Sequence, residues 1–97
     1  MQIPNNFDYP LLSEWSTNEI IAVTDFYQAV EQLYTAKIER EVFLKKYHAY
    51  QKAVPMKMNQ KKIDREFFDR TGMSIYQAAK FVQSSNKQFV HLGVTAR

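Results

Sequence analysis

Apolar residues recur at steps of three and four positions between residues 20 and 34, which is the spacing of one buried face of an α-helix. A helix start precedes them. The Ser16 hydroxyl can accept a hydrogen bond from the Glu19 amide, while the Glu19 carboxylate can accept one from the Ser16 amide. The pattern predicts a helix over 16–36. Its buried stripe is expected to contain Ile20, Val23, Phe26, Tyr27, Val30, Leu33 and Tyr34.

A second amphipathic segment follows and predicts a helix over 39–54. Glu39 and Glu41 lie in its first turn, where the helix dipole favours acidic residues. Pro55 ends the helix, because a proline pushes the preceding residue out of the helical region. The expected buried face is formed by Phe43, Leu44, Tyr47, Tyr50 and Val54.

Two shorter helices are predicted in the remainder of the chain, over 60–71 and 75–85. Asn59 is the expected N-cap of the first, and Gly72 is its expected left-handed C-terminal residue. Ser74 stands three positions before a glutamine, which is the spacing of a capping box, and opens the second. The expected core positions are Ile63 and Phe67, with Phe68 at the margin of that face, and Ile75, Ala78, Ala79 and Val82.

Both ends of the chain lack a helical period. Residues 86–97 are expected to form a flexible tail unless a partner or a second copy covers them. Residues 1–15 are expected to lie across the bundle as an extended strap through Phe7, Tyr9, Leu11 and Trp15. The sequence therefore predicts one all-α domain, a small three- or four-helix bundle with an extended N-terminal strap and a flexible C-terminal tail.

Composition agrees with a compact fold in a reducing environment. The chain has 97 residues, of which 45% are hydrophobic and 14% aromatic, which suffices for a packed core and argues against intrinsic disorder. It has no cysteine, so a disulfide framework, a thiolate zinc site and a cysteine nucleophile are excluded. The sequence shows neither a signal-peptide pattern nor a membrane-spanning run. We therefore expect a cytosolic protein that makes no membrane contact.

Charge is distributed unevenly along the chain. Residues 1–36 hold five acidic residues and no lysine or arginine, whereas residues 37–97 hold all 13 basic residues and five acids, a balance of plus eight. Such asymmetry is compatible with a basic surface for nucleic acid. In a folded domain, the acidic segment can equally lie beside the basic one and neutralise it.

Six short pieces of the chain match, in order, the pattern of a known protein family. They are YPL at 9–11, WSTNEI at 15–20, FYQAVEQLY at 26–34, VPMK at 54–57, DREF at 64–67 and SIY at 74–76. On these pieces the chain resembles the YktA-like proteins of Gram-positive bacteria. The resemblance implies a compact all-helical domain without an assigned biochemical function, and it supplies no catalytic residues. The chain departs from the pattern at Met73, where an aromatic residue is expected, and from about Ser84 onward.

Motifs for chemistry are weak throughout the sequence. His48 falls within a predicted helix and His91 in the tail, and neither has a nucleophile motif beside it. Glu66 and Asp69 share a helix face but lie four positions from basic residues, which is typical of a solvated surface with ion pairs. We therefore expect no enzymatic activity, no catalytic residue, no metal and no cofactor.

The strongest candidate site lies at the predicted start of the third helix, where Lys57, Lys61 and Lys62 form what we call the lysine cluster. Basic residues oppose the partial positive charge of a helix N-terminus, so their presence there breaks a local rule. One hypothesis is that the cluster binds a phosphate or a carboxylate together with backbone amides. The alternative is that nearby acidic residues neutralise it.

Two kinds of macromolecular partner remain open. Lys45, His48 and Lys52, with tyrosines nearby, are a weak pattern for nucleic acid. Apolar residues off the main helical stripes favour contact with a protein partner or with a second copy, and the candidates are Met56, Met58, Phe68, Met73 and Phe81. The leading hypothesis is a non-enzymatic protein-interaction or regulatory module. The alternative is a nucleic-acid or other polyanion binder centred on the lysine cluster.

Overall fold

A computed structural model describes residues 10–93, which form an all-α bundle with one very short pair of strands, so the predicted fold class is confirmed. The strands pair antiparallel, with Ile38 opposite Val90 and Glu39 opposite Phe89. In chain order the elements are α1 (Thr17–Thr35), β1 (Ile38–Glu39), α2 (Arg40–Ala53), α3 (Lys57–Thr71), α4 (Ile75–Ser84) and β2 (Phe89–Val90).

Helix α1 is the centre of the core and packs most extensively against α2. Its predicted capping box is present, since the Ser16 amide donates to the Glu19 carboxylate at 2.8 Å and the Glu19 amide donates to the Ser16 hydroxyl at 3.2 Å. All residues of the predicted stripe except Ile20 are buried. The ring of Phe26 lies 4.7 Å from that of Tyr50 and 5.5 Å from that of Phe43, centroid to centroid, so aromatic packing joins α1 to α2.

Pro55 separates α2 from α3 as predicted, but α3 begins at Lys57 rather than after Asn59. The N-cap residue is Met56, whose carbonyl accepts a hydrogen bond from the Gln60 amide at 3.1 Å. The Gln60 side chain donates to the Val54 carbonyl at 2.7 Å and ties the helix start to the end of α2. The prediction of Asn59 as N-cap was therefore wrong. No side chain of the described residues caps this helix, and the hydrogen bond from Gln60 to Val54 fixes its first turn instead.

The link between α3 and α4 is tight. Gly72 takes the predicted left-handed conformation, with φ of 77°, and ends α3. Met73 then points into the core. The Ser74 hydroxyl accepts from the Gln77 amide at 3.1 Å, and the carboxylate of Asp64, on α3, accepts from the Ile75 amide at 2.9 Å. Asp64 thus fixes the start of α4 against α3.

The described part of the N-terminal strap lies against α1. Pro10 is buried, and its carbonyl accepts a hydrogen bond of 2.7 Å from the Tyr27 hydroxyl. Trp15 is buried as expected, whereas Leu11 is exposed and Leu12 packs against the core in its place. The expected contacts of Phe7 and Tyr9 lie outside the described residues.

The C-terminal segment differs from the flexible tail that the sequence predicts. Through Gly93 it follows the bundle, because Val90 is buried in the core and the Leu92 amide donates to the Leu33 carbonyl at 2.9 Å. The Arg40 amide donates to the Gln88 carbonyl at 2.8 Å. Neither a partner nor a second copy is needed to cover this part, since β1 of the same chain does so. Residues 94–97 lie outside the described part.

Candidate binding groove

Helices α2, α3 and α4 meet around an open groove of about 460 Å³, which we call the three-helix groove. This volume lies within the range of roughly 300–1,000 Å³ found for ligand pockets. The α3 wall is formed by Lys57, Lys61 and Asp64, whose spacing of four and three positions places them on one helix face. Phe68 continues this face by a further four positions and is 54% exposed.

The opposite wall and the floor come from α4 and α2. Helix α4 contributes Tyr76, Ala79 and Lys80, and the Lys80 ammonium group lies 5.6 Å from the centroid of the Tyr76 ring. Helix α2 contributes Tyr50 and Gln51. Ala79 and Tyr50 are buried, so the groove has an apolar base beneath polar walls.

The electrostatics of the groove favour an anion. Three lysines and one aspartate line it, a balance of plus two. Within residues 10–93, neither Lys57, Lys61 nor Lys80 forms an ion pair with a carboxylate. Asp64 is already engaged, because its Oδ1 accepts from the Ile75 amide at 2.9 Å and from the Tyr76 amide at 3.4 Å. The positive charge of the walls is therefore unbalanced by the described part of the chain.

Tyr50, one of the residues that line the groove, carries a buried hydroxyl group. Tyr50 is 1% exposed, and among the described residues its hydroxyl oxygen has no hydrogen-bond partner. Burial raises the pKa of Tyr50 well above its usual range, and the nearby charge of Asp64 adds to the shift. The hydroxyl therefore stays protonated at neutral pH and remains able to donate a hydrogen bond.

The lysine cluster is only partly assembled. Lys57 and Lys61 line the groove, but Lys62 is not part of its lining and is exposed on another face of α3. Because α3 begins at Lys57, only that lysine lies in the first turn, and the expected conflict of Lys61 and Lys62 with the helix dipole does not arise. Sequence reasoning missed Lys80, for which the available signal was its position four residues after Tyr76 on one face of α4.

The five apolar partner candidates differ in their exposure. Met56, Met58 and Phe68 are exposed, at 60%, 75% and 54%. Phe81 is half-buried and packs against the core. Met73 is 8% exposed and belongs to the core, so it is not available to a partner. Tyr76, which the sequence analysis did not select, is 58% exposed.

The second basic stripe, on α2, has little aromatic surface to offer to bases. Lys45, His48 and Lys52 are exposed, but the rings of Tyr47 and Tyr50 pack at 5.4 Å and 4.7 Å from that of Phe26. In the described part of the chain, no group of three or more His, Cys, Asp or Glu residues could hold a metal ion. No helix there is both long and apolar enough to cross a membrane.

Comparisons with known proteins extend over nearly the whole chain. A UPF0223 protein of Lactococcus lactis subsp. cremoris is 45% identical over 85 residues, which are 88% of this chain and 91% of the relative. One from Streptococcus thermophilus is 40% identical over 88 residues, or 91% of this chain and 95% of the relative. The model of the uncharacterised protein family UPF0223 matches residues 6–91, so the family pattern continues past Ser84, where the sequence analysis ended it, and through β2. The chain belongs to the UPF0223 family.

Proposed function

We propose that the chain is a non-enzymatic interaction module that binds a segment of another protein in the three-helix groove. The observation that carries this proposal is the juxtaposition of exposed aromatic side chains with unpaired lysines. Phe68 and Tyr76 are more than half exposed, and Lys61 and Lys80 lie on the same two helix faces. Aromatic residues in partly enclosed sites dominate binding energy at protein interfaces, and flanking charges set orientation and encounter rate.

The groove is held in place before any partner arrives. Asp64 joins α3 to α4, and Gln60 joins α3 to the end of α2. A preformed site costs less ordering entropy on binding than a mobile one. Because the Asp64 carboxylate already accepts two backbone amides, it is also poorly placed to act as a general base, which favours binding over catalysis.

A polyanion binder is the second candidate, and the unpaired lysines of the groove favour it. Such binding would weaken steeply with salt, because each phosphate contact releases counterions. The charged stripe of Lys45, His48 and Lys52 would extend the footprint along α2. We rank this candidate lower, because the tyrosine rings beside that stripe are packed against Phe26.

The test is a pull-down from a lysate of Lactococcus lactis, which carries a relative 45% identical to this chain. Tagged wild type is compared with Phe68→Ala, Lys61→Gln and Lys62→Gln, with and without nuclease. We expect a protein that is retained after nuclease by the wild type and by Lys62→Gln, and lost from Phe68→Ala and Lys61→Gln. Lys62 is the matched control, because it is the adjacent lysine and lies outside the groove.

Two results would overturn the proposal. If nuclease removes all captured material, the polyanion binder would replace the protein-interaction module as the proposed function. A captured protein that binds all four chains equally would exclude the groove as the site. Light scattering of the purified chain tests the remaining partner, a second copy of the chain. A dimer that dissociates in the variant Phe68→Ala would identify it.

We also expect the chain to act in the cytosol and, within its family, to group with the YktA-like proteins. Its lack of cysteine fits a reducing compartment. Cell fractionation with an antibody to the chain checks the first expectation, and recovery from the culture medium would contradict it. A family-wide alignment checks the second.

A further inference from the structure

Building on the proposed function, we infer that the bound segment carries a carboxylate side chain next to an apolar one. The carboxylate enters the three-helix groove between Lys57, Lys61 and Lys80, and accepts a hydrogen bond from the Tyr50 hydroxyl. The apolar side chain packs against Phe68 and Tyr76 at the rim. The partner is therefore an acidic segment of another protein rather than a basic or a purely apolar one.

Charge complementarity is the first support. The groove places three ammonium groups around a single opening, and its one carboxylate is bonded to the start of α4. A basic segment would be repelled, and a purely apolar segment would desolvate the lysines without compensation. The negative charge of an acidic side chain is attracted by the balance of plus two that lines the groove.

The donors already in use at the start of α4 argue against a phosphate site at that helix end. Phosphate sites typically use the backbone amides at a helix start. At α4 the amides of Ile75 and Tyr76 already donate to Asp64, and the amide of Gln77 donates to Ser74. The donors left on this side of the groove are therefore side chains: the lysine ammonium groups, the amides of Gln51 and Gln83, and tyrosine hydroxyl groups.

The Tyr50 hydroxyl is the second and independent support. A buried hydroxyl group without a partner destabilises a protein, so nearly all such groups are satisfied. Tyr50 is 1% exposed, lines the groove, and has no partner for its hydroxyl among residues 10–93. An entering carboxylate would accept this hydrogen bond and complete the site.

The apolar neighbour follows from the surroundings of the charged opening. Ala79 is buried at the base, while Phe68 and Tyr76 expose 54% and 58% of their surface. Burying these rings requires an apolar side chain beside the carboxylate. An isolated carboxylate would leave both rings in water and would gain only a weak, screened attraction.

The smallest probe with this chemistry is phenylpropanoate, which carries one carboxylate and one ring. We expect its titration at low salt, followed by amide NMR, to shift signals of Tyr50, Lys61, Tyr76 and Ala79 with a dissociation constant on the order of 1 mM. The neutral analogue phenylpropanamide should bind about tenfold more weakly, because a charged acceptor strengthens each hydrogen bond. Equal binding of the two compounds, or shifts scattered away from the groove, would overturn the inference.

Three variants locate the carboxylate. Lys61→Gln should weaken phenylpropanoate about threefold, while Lys62→Gln should leave it unchanged. Tyr50→Phe should weaken it about fivefold without loss of folding, because the substitution removes only the unpartnered hydroxyl. Identical effects of Lys61→Gln and Lys62→Gln would reduce the attraction to net charge and overturn the assigned site. An unchanged affinity of Tyr50→Phe would overturn the role of Tyr50.

The titration and the pull-down fail independently. A protein captured through Phe68 and Lys61, with no groove shifts from phenylpropanoate, would leave the interaction module standing and overturn the carboxylate. Groove binding of phenylpropanoate without any captured protein would overturn the proposed function and leave the carboxylate chemistry of the groove in place.

Discussion

Tyr27 and Tyr50 are both fully buried in the same core, but only one of the two hydroxyl groups has a hydrogen-bond partner in the described part of the chain. The Tyr27 ring stacks on that of Phe67 at 5.0 Å, and its hydroxyl donates to the Pro10 carbonyl at 2.7 Å. The Tyr50 ring stacks on that of Phe26 at 4.7 Å, but no group in the described part of the chain bonds its hydroxyl. The N-terminal strap closes the first side, and the three-helix groove opens on the second.

This difference distinguishes side chains whose contacts only stabilise the fold from side chains that remain available for binding, although both tyrosines lie in one core. On the strap side, both the ring and the hydroxyl group of Tyr27 have partners within the chain. On the groove side, the Tyr50 ring packs in the core, but its hydroxyl has no hydrogen-bond partner in the described chain, and Lys57, Lys61 and Lys80 form no ion pair with a carboxylate there. Buried polar groups without a hydrogen bond are rare in folded proteins, and such a group is not explained by its contribution to folding.

The largest effect that tests this separation comes from two adjacent phenylalanines of α3. Phe67 is fully buried against Tyr27, whereas Phe68 lies on the groove face and is 54% exposed. Phe67→Ala should lower the free energy of unfolding by about 3–5 kcal/mol, because it leaves a cavity in the core. Phe68→Ala should change it by less than about 0.5 kcal/mol. Urea denaturation of both variants measures the difference.

Binding should reverse the order of these two variants. Phe68→Ala should lose the captured protein although it retains its stability. Phe67→Ala is the control for a destabilised core, and it should still capture the protein at temperatures where it remains folded. A stability loss in Phe68→Ala close to that of Phe67→Ala would mean that the groove face is part of the core. The distinction between the two sides would then fail.

Much of the core could be predicted from the sequence, because local signals and tertiary packing agree there. The Ser16 capping box, the end of α2 before Pro55 and the left-handed Gly72 each follow from short-range geometry. The errors arose where distant groups decide. Arg40 ties down the C-terminal segment through its own amide, and its side chain donates to the Val82 carbonyl at 3.1 Å, so residues 86–93 are held by a part of the chain far away in sequence.

The groove could be predicted only in fragments. Lys57 and Lys61 were identified from their clustering, but the same rule included Lys62, since spacing along the chain does not show which face a neighbouring helix covers. The spacing of Lys80 and Tyr76 places them on one face of α4, but only the packing of α3 on α4 brings that face to the groove. The free hydroxyl of Tyr50 is likewise invisible in the sequence, because an interior tyrosine ordinarily finds a partner.

Alkaline conditions provide a second test of the comparison. Burial raises the pKa of both Tyr27 and Tyr50 above the ordinary tyrosine value of 10.0. The folded state therefore retains protons that the unfolded state releases, so stability is fully present below pH 10.0 and falls as pH rises above it. Each tyrosine should contribute a fall of about 1.4 kcal/mol per pH unit.

Urea unfolding at a series of pH values from neutral to strongly alkaline measures this slope. Lysines also titrate in that range, so the informative quantity is the difference between the wild type and the double variant Tyr27→Phe with Tyr50→Phe. The double variant should show the shallower decline. Parallel curves would indicate that neither hydroxyl is kept protonated by the folded state.

The smallest effects come from removing one hydroxyl at a time, and they should have opposite signs. Tyr27→Phe removes a donor and leaves the buried Pro10 carbonyl without that bond, so the free energy of unfolding should fall by about 1–2 kcal/mol. Tyr50→Phe removes a buried hydroxyl that has no partner in residues 10–93, so it should raise the free energy of unfolding by about 0.5–1 kcal/mol. Urea denaturation at neutral pH, where both hydroxyls are protonated, checks both values.

The opposite signs matter because ring packing is the same in each pair. Phenylalanine preserves the stack of residue 27 on Phe67 and that of residue 50 on Phe26, so each variant reports its hydroxyl alone. A loss of stability in Tyr50→Phe similar to that in Tyr27→Phe would mean that the Tyr50 hydroxyl is satisfied in the free protein, and the groove would then lack its buried donor. A gain in stability together with weaker binding of phenylpropanoate would mean that the hydroxyl is retained at a cost to folding, because its hydrogen bond forms only with a bound carboxylate.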